Sequence, residues 1–151
     1  MDIFNEDLIR YNSWANQQII AILSANPAKV SDRCAELISH ILNVHQIWNG
    51  KIKPTLGTYE SWDVHPLVLM PEFDRLNTKS TLEILEHSII GQAIEYQTKS
   101  GATIVNSVQE ILYQIITHSS YHRGQIATEL RNVGIEPTLT DYIYYKMTSA
   151  K

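Results

Sequence analysis

Residues 107–133, SVQEILYQIITHSSYHRGQIATELRNV, decide how this chain folds, because apolar side chains recur in them three and four positions apart. This spacing predicts an amphipathic α-helix with its apolar side facing the protein interior. A helical wheel centred on Ile115 places His118 about 60° and His122 about 20° from the middle of the apolar stripe. Both imidazoles are therefore expected to point inward. Gly134 follows the stretch, in the position where a glycine often ends a helix.

Three further segments, residues 5–25, 31–50 and about 80–98, also show helical spacing of apolar residues. The third is expected to begin near Ser80 or Thr81. No strand signal separates these segments. Four amphipathic helices without strands predict an all-α fold, a four-helix bundle that forms one domain over residues 1–151.

A long stretch, residues 51–79, joins the second and third predicted helices and contains Pro54, Pro66 and Pro71. We expect it to be an irregular loop, and connections of this length in compact domains are often functional. Residues 135–147 are turn-rich and then aromatic, and they are expected to pack back on the bundle.

The composition excludes some classes of function. The net charge is -4 and the twelve basic residues are scattered, which argues against binding nucleic acid. The single cysteine, Cys34, excludes an internal disulfide and suits a reducing compartment. No apolar run reaches the ~20 residues that span a bilayer, and residues 1–16 do not resemble a signal peptide. We expect a cytoplasmic protein that binds neither nucleic acid nor membrane.

Two histidines four positions apart on an apolar stripe need a reason, because four ring nitrogens must find partners. A shared metal ion is one solution, and hydrogen bonds from two core histidines to polar groups are the other. The second predicted helix adds His40 and His45. A wheel centred on Ile41 places His45 about 40° and His40 about 100° from the stripe, which favours His45. A ligand between two helices can also lie at the stripe's edge, so both remain candidates.

Three stretches carry a family resemblance: YNSWAN at residues 11–16, HILNVHQIW at 40–48 and HSSYHRGQ at 118–125. Together they resemble the DinB/YfiT-like superfamily of metal-binding four-helix bundles. The ending PTLTDY at residues 137–142 is also similar to family endings. The similarity spans nearly the whole chain.

The resemblance implies that His40, His118 and His122 are the metal ligands. The family position that matches His45 is commonly acidic, so His45 is expected to support the ligands or replace one. Three neutral imidazoles suit Zn²⁺ or Ni²⁺, and also Fe²⁺ or Co²⁺, so the donors do not choose the metal. Gln125 is a candidate hydrogen-bond partner for a ligating imidazole, with a plain helix–helix contact as the alternative.

The resemblance further implies a metal-dependent hydrolase or a thiol-dependent S-transferase, since similar proteins include bacillithiol transferases and mycothiol-dependent isomerases. The partners would be a small-molecule substrate or low-molecular-weight thiol, and a second copy of the chain in a homodimer. No residue is assigned a catalytic role. The alternative is a non-catalytic stress-response protein that binds a metal or a small molecule, with His45 closing the site. A metal-free interaction module is the third possibility.

The remaining chemically active side chains are expected to be structural. His65 on the loop and His87 on a helix face are predicted to be solvated, and Cys34 to be a small core residue. Tyr121 and Arg123 flank His122 away from the stripe, and they are expected to meet a neighbouring helix or a dimer partner.

Overall fold

The computed structural model describes residues 3–54 and 57–149. The chain is mostly helical, with 67% of residues in helices and a small two-stranded sheet. The elements in chain order are α1 (Ile3–Ala25), α2 (Asp32–Ile52), a 3₁₀ helix (Leu67–Leu69), α3 (Met70–His87), β1 (Ala93–Gln97), β2 (Thr103–Ser107), α4 (Val108–Asn132) and α5 (Tyr142–Ser149). Within the described ranges, no helix is both long and apolar enough to cross a membrane.

The first, second and fourth predicted helices are present, with ends within a few residues of those expected. Local chemistry fixes the start of α4. The Ser107 side chain accepts a hydrogen bond from the Glu110 backbone N–H, and the Glu110 carboxylate accepts one from the Ser107 backbone N–H. This reciprocal arrangement satisfies two donors that a helix start leaves free. Gly134 follows the helix with a positive φ of 78°, a conformation that only glycine adopts readily.

The third helix is α3, which begins at Met70 and ends at His87. The predicted span of 80–98 is therefore wrong at both ends. Pro71 lies in the first turn of α3, where its missing N–H needs no partner, so it starts the helix and does not interrupt it. The predicted irregular stretch 51–79 is correspondingly shorter, and its residues 55 and 56 lie outside the described residues.

The prediction of a fold without strands is corrected by a β-hairpin. Strands β1 and β2 pair antiparallel, from Ala93 opposite Ser107 to Gln97 opposite Thr103. Alternate residues of β1 point inward, with Ile94 buried and its neighbours exposed. This alternation lies at the end of the segment predicted as the third helix. A short apolar run there fits both the two-residue repeat of a strand and the 3.6-residue repeat of a helix.

The core consists of two apolar clusters, one towards each end of the long helices. Helix α2 packs mainly against α4 and α3, and α1 packs mainly against α3 and α4. The first cluster contains Ile19, Ile20, Leu23, Cys34, Leu37, Ile38, Ile41, Leu42, Met70, Ile126 and Leu130. The second contains Ile9, Ile84, Leu85, Ile94, Val108, Ile111, Leu112 and Ile115. Cys34 is 1% exposed, as predicted for a core residue.

Buried polar residues lie between the two clusters along each long helix, and we call them the polar layer. They are Asn12 and Asn16 on α1, Asn43 and His45 on α2, Asp74, Asn77 and Thr81 on α3, and Ser119, His122 and Arg123 on α4. Buried polar groups are costly unless they are hydrogen-bonded. The layer therefore requires a specific set of contacts between helices, which an apolar core would not.

A buried acid and a buried base join three helices within this layer. Asp74 on α3 accepts hydrogen bonds from Ser13, Asn16 and Gln17 of α1. The Arg123 guanidinium of α4 donates from one nitrogen to the Asn12 and Asn16 side-chain oxygens, at 2.8 and 2.7 Å. One amide, that of Asn16, thus touches both charged groups. Burial raises the pKa of Asp74, and the three hydrogen bonds from α1 oppose that shift.

The C-terminal segment packs against α1, as predicted for residues 135–147. Tyr11 donates a hydrogen bond to the Thr140 carbonyl oxygen at 2.6 Å, and its ring meets that of Tyr142 at 5.4 Å. Tyr142 and Lys146 both bond to Asp7. Helix α5 and the residues just before it therefore pack against α1.

Replacing Asp74 by leucine is expected to destabilise the fold by about 3–5 kcal/mol, because Ser13, Asn16 and Gln17 lose their charged acceptor and the buried Arg123 guanidinium loses the nearby opposite charge. The measurement is the free energy of unfolding in denaturant. The double variant Asp74→Leu with Arg123→Met should recover part of the loss, since both charges are then gone. Glu72→Gln breaks an exposed ion pair on the same helix and serves as the control, with no comparable loss. If Asp74→Leu unfolded at the same midpoint concentration of denaturant as the wild type, this account would be contradicted.

Candidate metal centre

Helix α4 places His118 and His122 one turn apart on the same side, as their spacing predicts. Their ring centroids are 4.5 Å apart. His122 is buried and His118 is half-buried. The rotation of α4 that directs them towards α2 also directs Arg123 into the contacts with α1 described above.

Helix α2 supplies the third histidine, His40, which is 7% exposed. Its ring centroid lies 4.9 Å from that of His118 and 4.8 Å from that of His122. One nitrogen from each ring can be chosen so that all three lie within 4.8 Å of one another. The structure thus brings together the three histidines that the resemblance implies, and we call them the histidine trio.

Two members of the trio have their outer ring nitrogen held by an oxygen. His40 Nδ1 lies 2.7 Å from the Ser61 carbonyl oxygen, which only accepts, so Nδ1 carries the proton. His122 Nδ1 lies 2.7 Å from Gln125 Oε1 and donates to it in the same way. Each neutral ring then has an unprotonated Nε2, which is the form that binds metals. Gln125 therefore makes the contact considered for it from the sequence.

The donor set fits one divalent ion. His40 Nε2 and His118 Nε2 are 3.1 Å apart. Two nitrogens on one tetrahedral ion, each at about 2.0–2.1 Å, lie about 3.3 Å from each other. Burial lowers the pKa of His118 to about 4, with smaller contributions from His122 and His40, and burial also lowers the pKa of His40. The lowered pKa values favour neutral rings for His118 and His40, and the neutral form is the one that binds a metal ion.

One side of the trio is bordered by exposed aromatic residues. The Trp62 indole stacks on the His40 ring with centroids 3.7 Å apart and planes 8° from parallel. Tyr121 contacts the edge of His122, and both aromatic side chains are about half exposed or more. Arg33 lies over Trp62 at 5.4 Å. Arg123 contacts α1, a neighbouring helix, which is one of the two contacts expected for it from the sequence. Tyr121 is exposed to solvent in the single chain.

The sequence did not identify Ser61 or Asn43 as residues of this region, and it gave Trp62 only as part of a loop expected to shape the substrate side, without the contact to His40. Ser61 acts through a backbone carbonyl, which leaves no trace in residue type. Trp62 lies in a segment without periodicity, so its position relative to His40 depends on the path of the chain. The one sequence signal for Asn43 was that a polar residue interrupts the apolar pattern of the second predicted helix.

His45 lies apart from the trio, in the polar layer between α2 and α3. Its Nε2 is 2.7 Å from Thr81 Oγ1, and the Thr81 hydroxyl donates in turn to Asn49 Oδ1 at 3.0 Å. His45 therefore donates Nε2–H to Thr81. This contact satisfies one of the two ring nitrogens of His45, whereas Nδ1 is buried without a hydrogen-bond partner among the described residues.

His65 also differs from the prediction of a solvated side chain. Its Nε2 is 2.6 Å from Asn43 Oδ1, and its ring packs against Tyr59 and Phe73. His87 bonds to the Glu83 carbonyl oxygen on the exposed side of α3, as a surface residue does.

A cleft of about 330 Å³ lies between α2 and α3, next to Gly57 and Thr58. Its rim carries the Lys53–Glu83 ion pair. Among the described residues, the group of side chains that could hold a metal ion is the trio, and none of its members lines this cleft. The convergence of three histidine ring nitrogens between α2 and α4 therefore identifies the candidate site better than the size of a cavity does.

Acid is expected to destabilise the protein through His45. Burial lowers the pKa of His45 from 6.5 to about 3, so the unfolded chain takes up a proton in this interval and the folded chain does not. The free energy of unfolding should therefore fall as the pH drops below 6.5, by up to about 1.4 kcal/mol per pH unit from this residue. Denaturant unfolding between pH 7 and 4 measures the slope, which should be smaller in His45→Gln. An equal slope in that variant would show that His45 is protonated in the fold.

Comparisons with known proteins agree with these observations. The family model described as DinB family matches residues 1–150. The protein DinB of Bacillus subtilis (strain 168) is 26% identical over 175 aligned residues, covering 100% of this chain and 99% of that protein. No solved structure matches. The match extends over the helices that carry the trio and the polar layer, and the chain belongs to the DinB family.

Proposed function

We propose that this protein is a metal-dependent enzyme in which His40, His118 and His122 hold one Zn²⁺ or Ni²⁺ ion. The observation that carries the proposal is the convergence of three nitrogen donors within 4.8 Å. The contacts of His40 with Ser61 and of His122 with Gln125 support it, because metal-binding histidines commonly donate their other N–H to an oxygen.

The four long helices would then serve as a four-helix bundle that presents ligands from two facing helices, an arrangement common in metal sites of such bundles. We propose that residues 1–151 act as one domain and pair as a homodimer in the cytoplasm. The single cysteine is buried in the apolar core and unpaired, in keeping with a reducing compartment.

Three protein ligands leave a position for substrate or water, as in catalytic zinc sites. His45, the candidate for closing the site, donates to Thr81 on α3 instead. This contact favours the enzyme over the non-catalytic metal-binding protein, whose site a fourth protein ligand would close.

A divalent ion bound there would act as a Lewis acid and lower the pKa of a bound water or thiol. Three neutral imidazoles leave the full charge of the ion in place, which favours an anionic partner such as a thiolate or hydroxide. Trp62 would exclude water from one side of His40, and the guanidinium of Arg33 adds positive charge nearby. These features support a small-molecule hydrolase or a transferase that uses a low-molecular-weight thiol.

Protein purified without a histidine tag is expected to contain about one divalent metal ion per chain. Elemental analysis measures this ratio. His118→Ala should lose the metal, because two remaining imidazoles hold a divalent ion much less tightly. His45→Gln is the matched control, a second buried histidine whose replacement should leave the metal in place. Absence of metal after incubation with excess Zn²⁺, Ni²⁺ or Fe²⁺ would refute the proposal.

The two reaction classes can be separated with Co²⁺ in the site. If the protein activates thiols, a small thiol should coordinate the cobalt and produce a sulfur-to-metal charge-transfer absorption. His118→Ala provides the background signal. A cobalt spectrum unchanged by thiol, together with hydrolysis of ester or amide substrates, would favour the hydrolase.

A further inference from the structure

The segment of residues 57–66 contacts His40 of the trio and is anchored to α2 chiefly through Asn43. This asparagine is completely buried, although it belongs to neither apolar cluster. Its side-chain nitrogen donates to the Asp63 carbonyl oxygen at 2.7 Å and lies 3.5 Å from the Ser61 carbonyl oxygen. The amide of Asn43 thus takes the place of the backbone partners that an irregular segment otherwise lacks.

The other end of the same amide holds His65. Asn43 Oδ1 accepts a hydrogen bond from His65 Nε2 at 2.6 Å. The backbone N–H of His65 donates to Ser39 Oγ at 3.0 Å, and on the far side of Ser61 the backbone N–H of Tyr59 donates to Gln46 Oε1 at 3.1 Å. The segment is therefore anchored to α2 on both sides of Ser61, and Asn43 contacts it at three of its residues, Ser61, Asp63 and His65.

The anchored segment contacts His40 in two ways. The Ser61 carbonyl oxygen accepts the Nδ1 proton, which leaves Nε2 free for the centre. Trp62 stacks on the ring and limits its rotation. Without the carbonyl, neutral His40 can carry its proton on either nitrogen, and protonation at Nε2 would block the position that faces His118.

We propose that Asn43 is a positioning residue of the metal centre, which sets the tautomer and orientation of His40 by fixing the segment that carries Ser61 and Trp62. This inference rests on the proposed metal-binding function. Asn43 does not contact the metal position, and it acts on the centre through the backbone of residues 61–63. These hydrogen bonds account for the burial of an asparagine three residues after the proposed ligand His40 on α2.

The test compares Asn43→Leu with Asn77→Leu, a matched control. Asn77 is also a buried asparagine that donates to a backbone carbonyl between helices, that of Leu42, and its other described hydrogen bonds, from Asn49 and Thr81, involve neither the segment nor the trio. Zn²⁺ affinity, measured by competition with a chelator, should fall about 10–100-fold in Asn43→Leu, the range typical for residues that orient metal ligands. Asn77→Leu should keep the wild-type affinity even if it lowers thermal stability equally.

A second readout uses the metal-free protein. Nitrogen NMR of the imidazole rings should show His40 protonated at Nδ1 in the wild type and in Asn77→Leu. In Asn43→Leu the Nε2-protonated form should become populated. Wild-type affinity together with an unchanged His40 tautomer in Asn43→Leu would overturn the proposal. If the wild type binds no Zn²⁺, the proposed function fails, and the tautomer comparison still tests the role of Asn43.

His65→Phe provides a milder variant if Asn43→Leu does not fold. It keeps an aromatic ring beside Tyr59 and Phe73 and removes only the hydrogen bond to Asn43. The His40 tautomer should shift in the same direction, by a smaller amount. A His40 signal identical to that of the wild type in this variant would contradict the proposed chain of contacts.

Discussion

The need to satisfy buried polar groups restricts how the helices of this structure pack against one another. Asp74, in the second turn of α3, and Arg123, in the second half of α4, are each held by side chains of α1, and Asn16 contacts both. Apolar burial is non-directional, whereas a hydrogen bond requires a specific partner at a specific angle. This layer therefore fixes how the helices are rotated relative to one another.

The histidine trio follows from that rotation. Arg123 is the neighbour of His122 in sequence, so a rotation of α4 that takes the guanidinium to α1 takes His118 and His122 towards α2. His40 completes the group from α2, and Ser61 fixes which of its nitrogens is free. The polar layer, the trio and the overlying segment thus form one connected arrangement, in which structural contacts determine the geometry available for chemistry.

Much of the fold was predictable from residues whose effect is local. The helix of residues 107–133 combines a regular apolar stripe with Ser107 and Gly134 at its ends, and its prediction is confirmed to within a residue. The third helix was misplaced because Pro71 is equally compatible with a loop and with a first turn. The hairpin was missed because Ala93 continues the helical spacing of Leu85 and Ile89, whereas the residue that β1 buries is Ile94.

The candidate site was predictable only in part, for a physical reason. Spacing alone paired His118 with His122, whereas a helical wheel favoured His45 over His40. The wheel measures burial, and His45 is indeed the more buried of the two, but its partner is Thr81. Choosing between them required the family resemblance, because burial and metal binding both favour inward positions. Contacts made through the backbone of Ser61 left no signal in the sequence.

The most direct test of the central claim is a crystal structure of the Zn²⁺-loaded protein with diffraction data collected on both sides of the zinc absorption edge. The anomalous difference map locates the metal without assumptions about its ligands. The account predicts one strong peak within bonding distance of Nε2 of His40, His118 and His122, with no fourth protein ligand. A peak beside His45 or His65, or a fourth protein side chain closing the coordination sphere, would contradict it.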